Sequence, residues 1–161
     1  MPLNSRTVSW IESLAHQEGE IASGERLSID IVIAKETVLK NETIHYVRAL
    51  QAEFRELSGF LNRRLPSSSP RIHVVGLGET EEGFLIERAP LKLTFRAQMG
   101  VVQFVCERLL TNELQFSGAI EAKFGPFYEL EWLFLGKPVT PEPLARHYLT
   151  ELLQATGQLR H

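Results

Sequence analysis

Leu114–Leu135, LQFSGAIEAKFGPFYELEWLFL, decides how this chain is read. Apolar residues alternate with polar ones through Leu114, Phe116, Gly118, Ile120, Ala122 and Phe124, and again through Tyr128, Leu130, Trp132 and Phe134. Side chains on a strand point to opposite faces in turn, so each set lines one face and the stretch predicts a β-hairpin. With Gly125, Pro126 and Phe127 as its loop, Phe124 falls opposite Tyr128, Ala122 opposite Leu130, Ile120 opposite Trp132 and Gly118 opposite Phe134. A two-residue loop would set Ile120 against Glu131 and split the buried face, so burial favours the longer one. The same register pairs Lys123 with Glu129 and sets Glu121 against Glu131. Gly118 and Gly136 are expected to leave room for aromatic rings across the ladder.

Working back from the hairpin, the chain reads as strand after strand. Val101–Leu110 and Leu91–Ala97 precede it, the latter alternating Leu91, Leu93, Phe95 and Ala97 with Lys92, Thr94 and Arg96. Gly83–Arg88 and Ile72–Leu77 come before those, joined by an acidic turn that holds Glu79, Glu81 and Glu82. Phe95, Met99, Val102, Val105, Cys106 and Leu109 also fit a helical stripe, which would give a ferredoxin-like βαββαβ core. Strands are preferred because Lys92–Arg96 alternates without error and Met99-Gly100 suits a turn better than a helix centre.

Helices flank this region. Asn4 to about Ile21 places Trp10, Ile11, Leu14 and Ala15 at helical spacing, with Ser5 or Thr7 as caps. Leu27–Ala34 alternates Leu27, Ile29, Ile31 and Ile33 and predicts a strand. Asn41–Leu65 predicts a long helix, capped by Asn41, with Ile44, Val47, Phe54, Leu57, Leu61 and Leu65 as its apolar stripe, and Pro66 stops it. Thr140 caps a last helix that has Pro141 and Glu142 in its first turn and Gly157 just past its end; Leu144, Tyr148, Leu152 and Ala155 form its buried stripe.

The 161 residues suggest one domain, spanning 1–161, around one core. At 43% hydrophobic and 23% charged, the composition is that of a globular chain rather than a disordered one. A formal net charge of −3 gives no basic footprint for nucleic acid. One cysteine, Cys106, rules out an intrachain disulfide and a cysteine zinc cluster. No apolar run approaches a membrane span and no secretory leader is visible, so the cytoplasm is the expected location.

Motifs for chemistry are sparse. Gly76–Gly83 is rich in glycine but lacks the Gly-Lys-Ser/Thr ending of a phosphate loop, carries repelling carboxylates and does not match a calcium loop. His16, His45, His73, His147 and His161 make no HxH or HxxxH pair, so no metal is implied, and no motif calls for a cofactor. No GxSxG elbow is present. With no clustered acid–base or nucleophilic set, no catalytic residue is assigned and the chain leans away from an enzyme. The residues marked for ligand binding are Arg108, Cys106, His45 and Trp132. Arg108 would share the apolar face of Phe104 and Cys106 if Leu110 lies opposite Leu114, and would then need a carboxylate such as Glu87 or Glu113, an anion, or water. Val101, Val105, Leu109, Leu133 and Leu135 fall on the opposite face and are marked as an interface, covered by a partner chain or by the first helix.

These elements predict an α+β fold: an antiparallel meander of six to seven strands packed on a long central helix, with helices at both ends. The order resembles that of helix-grip folds, with cystatin-like cones the nearest competitor, and the resemblance implies a sheet wrapped on a helix with an apolar cavity between them. The expected function is a non-enzymatic domain acting through protein–protein interaction, as a homodimer or on a protein partner. The alternative is a pocket between sheet and helix for a small apolar or anionic ligand. Neither a nucleic acid nor a membrane is an expected partner.

Overall fold

From Arg26 to Arg64 the sequence holds no proline, and no glycine before Gly59, so nothing interrupts a helix. In a computed structural model of the chain these residues form one helix of 39 residues, about 58 Å long. The structure describes residues 8–15, 26–78, 82–127 and 129–159, with the backbone alone for 26–31 and 158–159. The element order is α1 (residues 8–15), α2 (Arg26–Arg64), seven strands, and α3 (Pro141–Leu159). Of the first helix expected from sequence, the parts outside 8–15 lie beyond the described residues.

The strand expected at Leu27–Ala34 is therefore the first part of α2, and Asn41 sits in that helix's interior rather than at its cap. Alternation alone was misleading here: no turn residue separates this stretch from the helix that follows. Val32 and Ile33 are exposed. The packed part of α2 lies further along, where Tyr46, Val47, Leu50, Phe54 and Ser58 are buried. Leu65 and Pro66 end it; Arg71 then reaches back and donates to the carbonyls of Asn62, Leu65 and Pro66.

The strands are β1 (His73–Gly76), β2 (Gly83–Arg88), β3 (Leu91–Gln98), β4 (Val101–Arg108), β5 (Leu114–Phe124), β6 (Leu130–Phe134) and β7 (Lys137–Pro138). They form a single antiparallel sheet in sequential order, β1 to β7. Val101–Arg108 is a strand, so the ferredoxin-like alternative does not describe this chain. β7 is the strand the sequence hid, because two residues that include a proline carry no alternation. The fold is α+β, with α2 and α3 both packed on one face of the meander.

The hairpin that opens the sequence reading forms with the expected faces but a different register. Ala122 pairs with Trp132, Lys123 with Glu131 and Phe124 with Leu130, two residues away from the expected pairing. The loop is Gly125–Glu129. Gly125 N–H donates to the Glu129 carbonyl at 2.7 Å, and the Glu129 carboxylate accepts from Phe127 N–H at 2.8 Å. Side-chain alternation has a period of two, so a shift of two keeps every apolar residue on its face. It also replaces the Glu121–Glu131 clash with Lys123 opposite Glu131 and Glu121 opposite Leu133.

On the inner face Phe84, Phe95 and Phe104 lie side by side across β2, β3 and β4, and the row ends on Gly118 of β5. A Cβ at Gly118 would stand 2.4 Å from Phe104 Cζ, so the glycine does make room for a ring, that of Phe104 rather than Phe134. Gly136 has a different use: with φ of 79° it turns the chain between β6 and β7. From the helices, Phe54 of α2 meets Phe84 and Phe95 at 5.7 and 5.3 Å, and Tyr148 of α3 meets Phe104 at 4.6 Å. Gly157 lies inside α3, not beyond it, and Ala145, Leu149 and Thr156 join the buried stripe. Arg88, buried at the end of β2, donates to the Pro70 and Leu153 carbonyls and to the Thr156 hydroxyl, tying α3 to the sheet.

Candidate functional site

β7 pairs only with Leu133 and Phe134, so the first half of β6 has no β7 partner on that side. The chain leaves β7 through Val139 and Thr140 and enters α3 at Pro141, while α2 passes alongside. Between them lies an open groove of about 320 Å³. Its α2 wall holds Glu42, His45 and Tyr46, and its sheet wall holds Leu130, Glu131 and Trp132. The Tyr46 and Trp132 rings stack with centroids 4.5 Å apart and form the base of the groove. Tyr46 donates its hydroxyl to the Val139 carbonyl at 3.1 Å, fixing the β7–α3 connection to α2. Burial pushes the Tyr46 hydroxyl pKa well above its ordinary range, so it acts as a neutral donor.

Two of the four residues marked for ligand binding, His45 and Trp132, meet in this groove. The other two lie elsewhere. Cys106 is fully buried in β4 opposite Leu93 and Phe116. Burial pushes its thiol up to about 11, and Glu107 adds to the effect, so the nucleophilic thiolate is disfavoured.

Arg108 ends β4 opposite Leu91. A register shift between Cys106 and Glu107 sets Glu107 opposite Leu114, so the expected Leu110–Leu114 pair does not form and Leu110 stands 97% exposed. Arg108 Nε lies 3.6 Å from Glu113 Oε2, one of the two carboxylates named from sequence; the other, Glu87, faces Lys92. Both side chains reach solvent in part, but Arg108 Nε itself is buried and has no hydrogen-bond acceptor among the described residues.

Of the residues marked as an interface, Val105 sits in an outer-face row that runs Val75, Leu85, Thr94, Val105 and Ser117 across five strands. Val101 and Leu133 are separated in the ladder by Glu121. Leu109 follows β4 in the turn, where its N–H donates to the Pro90 carbonyl. Leu135 lies in the β6–β7 turn, 85% exposed, with φ of 53°. Trp10, Ile11 and Leu14 of α1, the internal cover considered from sequence, are themselves 40–44% exposed.

Tyr46 was missed by sequence reading because it sits one residue off the helical stripe, and only β7 and Val139 reveal its role. Among the described residues no three His, Cys, Asp or Glu side chains gather as metal ligands, and no helix is long and apolar enough to cross a membrane. Comparison with protein-family models, with curated proteins and with solved structures finds no match.

Proposed function

We propose that this chain is a single-domain, cytoplasmic interaction protein that works through the apolar surface of its sheet, with a second copy as partner. The observation that carries the reading is at one end of the meander. Leu110, Leu114 and Leu135 are 97%, 59% and 85% exposed, and antiparallel topology sets the β4–β5 and β6–β7 connections at the same end. Leucine in the left-handed region costs about 1–2 kcal/mol, so Leu135 is held in an unfavourable conformation with its side chain in water. Further in on the outer face, beyond the charged row Glu87–Lys92–Glu107, Leu85 and Val105 add apolar side chains in the row Leu85–Thr94–Val105. One such patch pairs with itself about a two-fold axis.

Sedimentation of the wild type and of Val105→Glu tests the reading. The wild type is expected to sediment as a dimer at micromolar concentration, and the variant as a folded monomer, because Val105 is only half-buried on the outer face. A monomeric wild type would refute it. A second reading, ligand binding, is favoured by the open groove at β6, lined by the Tyr46–Trp132 stack.

A further inference from the structure

The open edge of β6 carries an inference about a partner, which rests on reading the groove beside it as a binding site and not on the dimer. In an antiparallel ladder, successive residues turn their N–H and C=O groups toward one neighbouring strand and then the other. Ala122 donates its N–H to the Gly100 carbonyl at 2.8 Å, so it faces away from β6. Its ladder partner Trp132 accordingly turns away from β5, and its carbonyl accepts from Val139 N–H at 2.9 Å. Leu130, two residues earlier, turns the same way. No strand meets it there: β7 pairs only with Leu133 and Phe134, and the Val139 carbonyl accepts from the Tyr46 hydroxyl. Among the described residues the Leu130 N–H and C=O have no partner, although Leu130 lines the groove and is only 6% exposed. Backbone groups so placed are nearly always paired, so this residue marks a place for one more donor and one more acceptor.

A donor and an acceptor on one residue match one residue of an antiparallel strand, which returns both bonds. Directly opposed residues share a face, so that residue's side chain joins Leu130 on the inner side, against Tyr46, Ala49 and Trp132. Glu42 is buried and already partnered, His45 is exposed on α2, and Glu131 belongs to the other face, so the inner position suits an apolar side chain. The residue before it falls on the outer face beside Glu131, which is exposed and has Lys123 on its other side. A basic side chain there repeats the alternation that this face already shows in Glu87–Lys92–Glu107. We propose that the β6 edge at Leu130 binds an extended peptide segment of a partner, in which an apolar residue follows a basic one, as a short antiparallel strand in line with β7.

Amide NMR of the isotopically labelled chain, titrated with the capped peptide acetyl-Lys-Val-Lys-Val-Lys-amide, tests this. The Leu130 amide is expected to shift saturably and to exchange its hydrogen more slowly as peptide is added. The same peptide N-methylated at both valines cannot return the donor and is expected to leave Leu130 unmoved. A version with glutamate in place of lysine is expected to bind more weakly. Glu131→Gln, at an exposed position, is expected to weaken binding of the lysine peptide about two- to fivefold, the effect of one surface charge pair. Equal binding of the N-methylated peptide would overturn strand addition while leaving the groove a binding site. Equal binding of the glutamate peptide, with Glu131→Gln undiminished, would overturn the basic partner. No shift at Leu130, Tyr46 or Val139 with any of the peptides would overturn the segment and the groove together.

Discussion

Two rows of the sheet lie one residue apart along each strand and face opposite ways. The inner row, Phe84–Phe95–Phe104–Gly118, is closed: each ring contacts the next, at 4.9 and 5.4 Å, and the glycine receives the last. The outer row, Leu85–Thr94–Val105–Ser117, is built from smaller side chains and is flanked by charges, with Glu87, Lys92 and Glu107 on one side and Arg96 on the other. The inner row depends on shape, since rings of fixed size must fit between sheet and helices. In the outer row Ser117 is exposed, Leu85 and Val105 are half-buried and Thr94 is buried, so substitutions at Leu85, Val105 and Ser117 disturb the core least. Stability and association should therefore be separable by mutation, one face at a time.

The largest effect should come from the inner face. Trp132→Ala removes a 95% buried ring and its stack on Tyr46, and is expected to cost about 3–5 kcal/mol, read from denaturant midpoints. A midpoint equal to that of the wild type would mean that the inner face tolerates loss of shape and the contrast fails. Next is Gly118→Ala, which puts a methyl group 2.4 Å from Phe104 Cζ; overpacking of this kind costs about 1–3 kcal/mol, and near-ultraviolet circular dichroism should report the displaced ring. Leu135→Asn should act in the other direction. Asparagine tolerates φ of 53° better than leucine, so a gain of about 1 kcal/mol in thermal stability is expected, with self-association weakened in the same sample. A stabilised protein that associates as before would remove Leu135 from the interface. Arg108→Met should change stability least, by less than about 1 kcal/mol, because its partner Glu113 is solvated.

The sheet was largely legible in the sequence, and the reason is specific. Gly83–Arg88 matches β2 to the residue, and Leu91–Ala97 and Val101–Leu110 miss their strand ends by one or two. Each has one buried and one solvated face, which is the condition under which a period of two reads clearly. The failures follow from the same physics. Leu27, Ile29, Ile31 and Ile33 alternate, yet belong to a helix, because the pattern cannot report the missing turn. The hairpin register slipped by two because a two-residue shift preserves faces, and the bonds that set the observed loop, Gly125 N–H to the Glu129 carbonyl and Phe127 N–H to its carboxylate, leave no trace in the alternation. For the groove, His45 and Trp132 were marked separately, but residues 42–49, 130–132 and 138–141 come together only through the fold, and no local spacing encodes that meeting.

The sequential order of the strands has a consequence for how the chain finds its structure. Every ladder joins neighbours in sequence, and some connections are as short as the pairs Ala89–Pro90 and Met99–Gly100, so each pairing closes a short loop at little entropic cost. The contacts between α2 and α3 are different in kind, because the whole sheet lies between them in sequence. Strands can add one to the next without waiting for a distant partner, whereas the helices meet on a surface that exists only once the strands are in place. Mutations at the Phe104–Tyr148 contact should therefore speed unfolding more than they slow folding, while mutations in the β3–β4 turn should do the reverse.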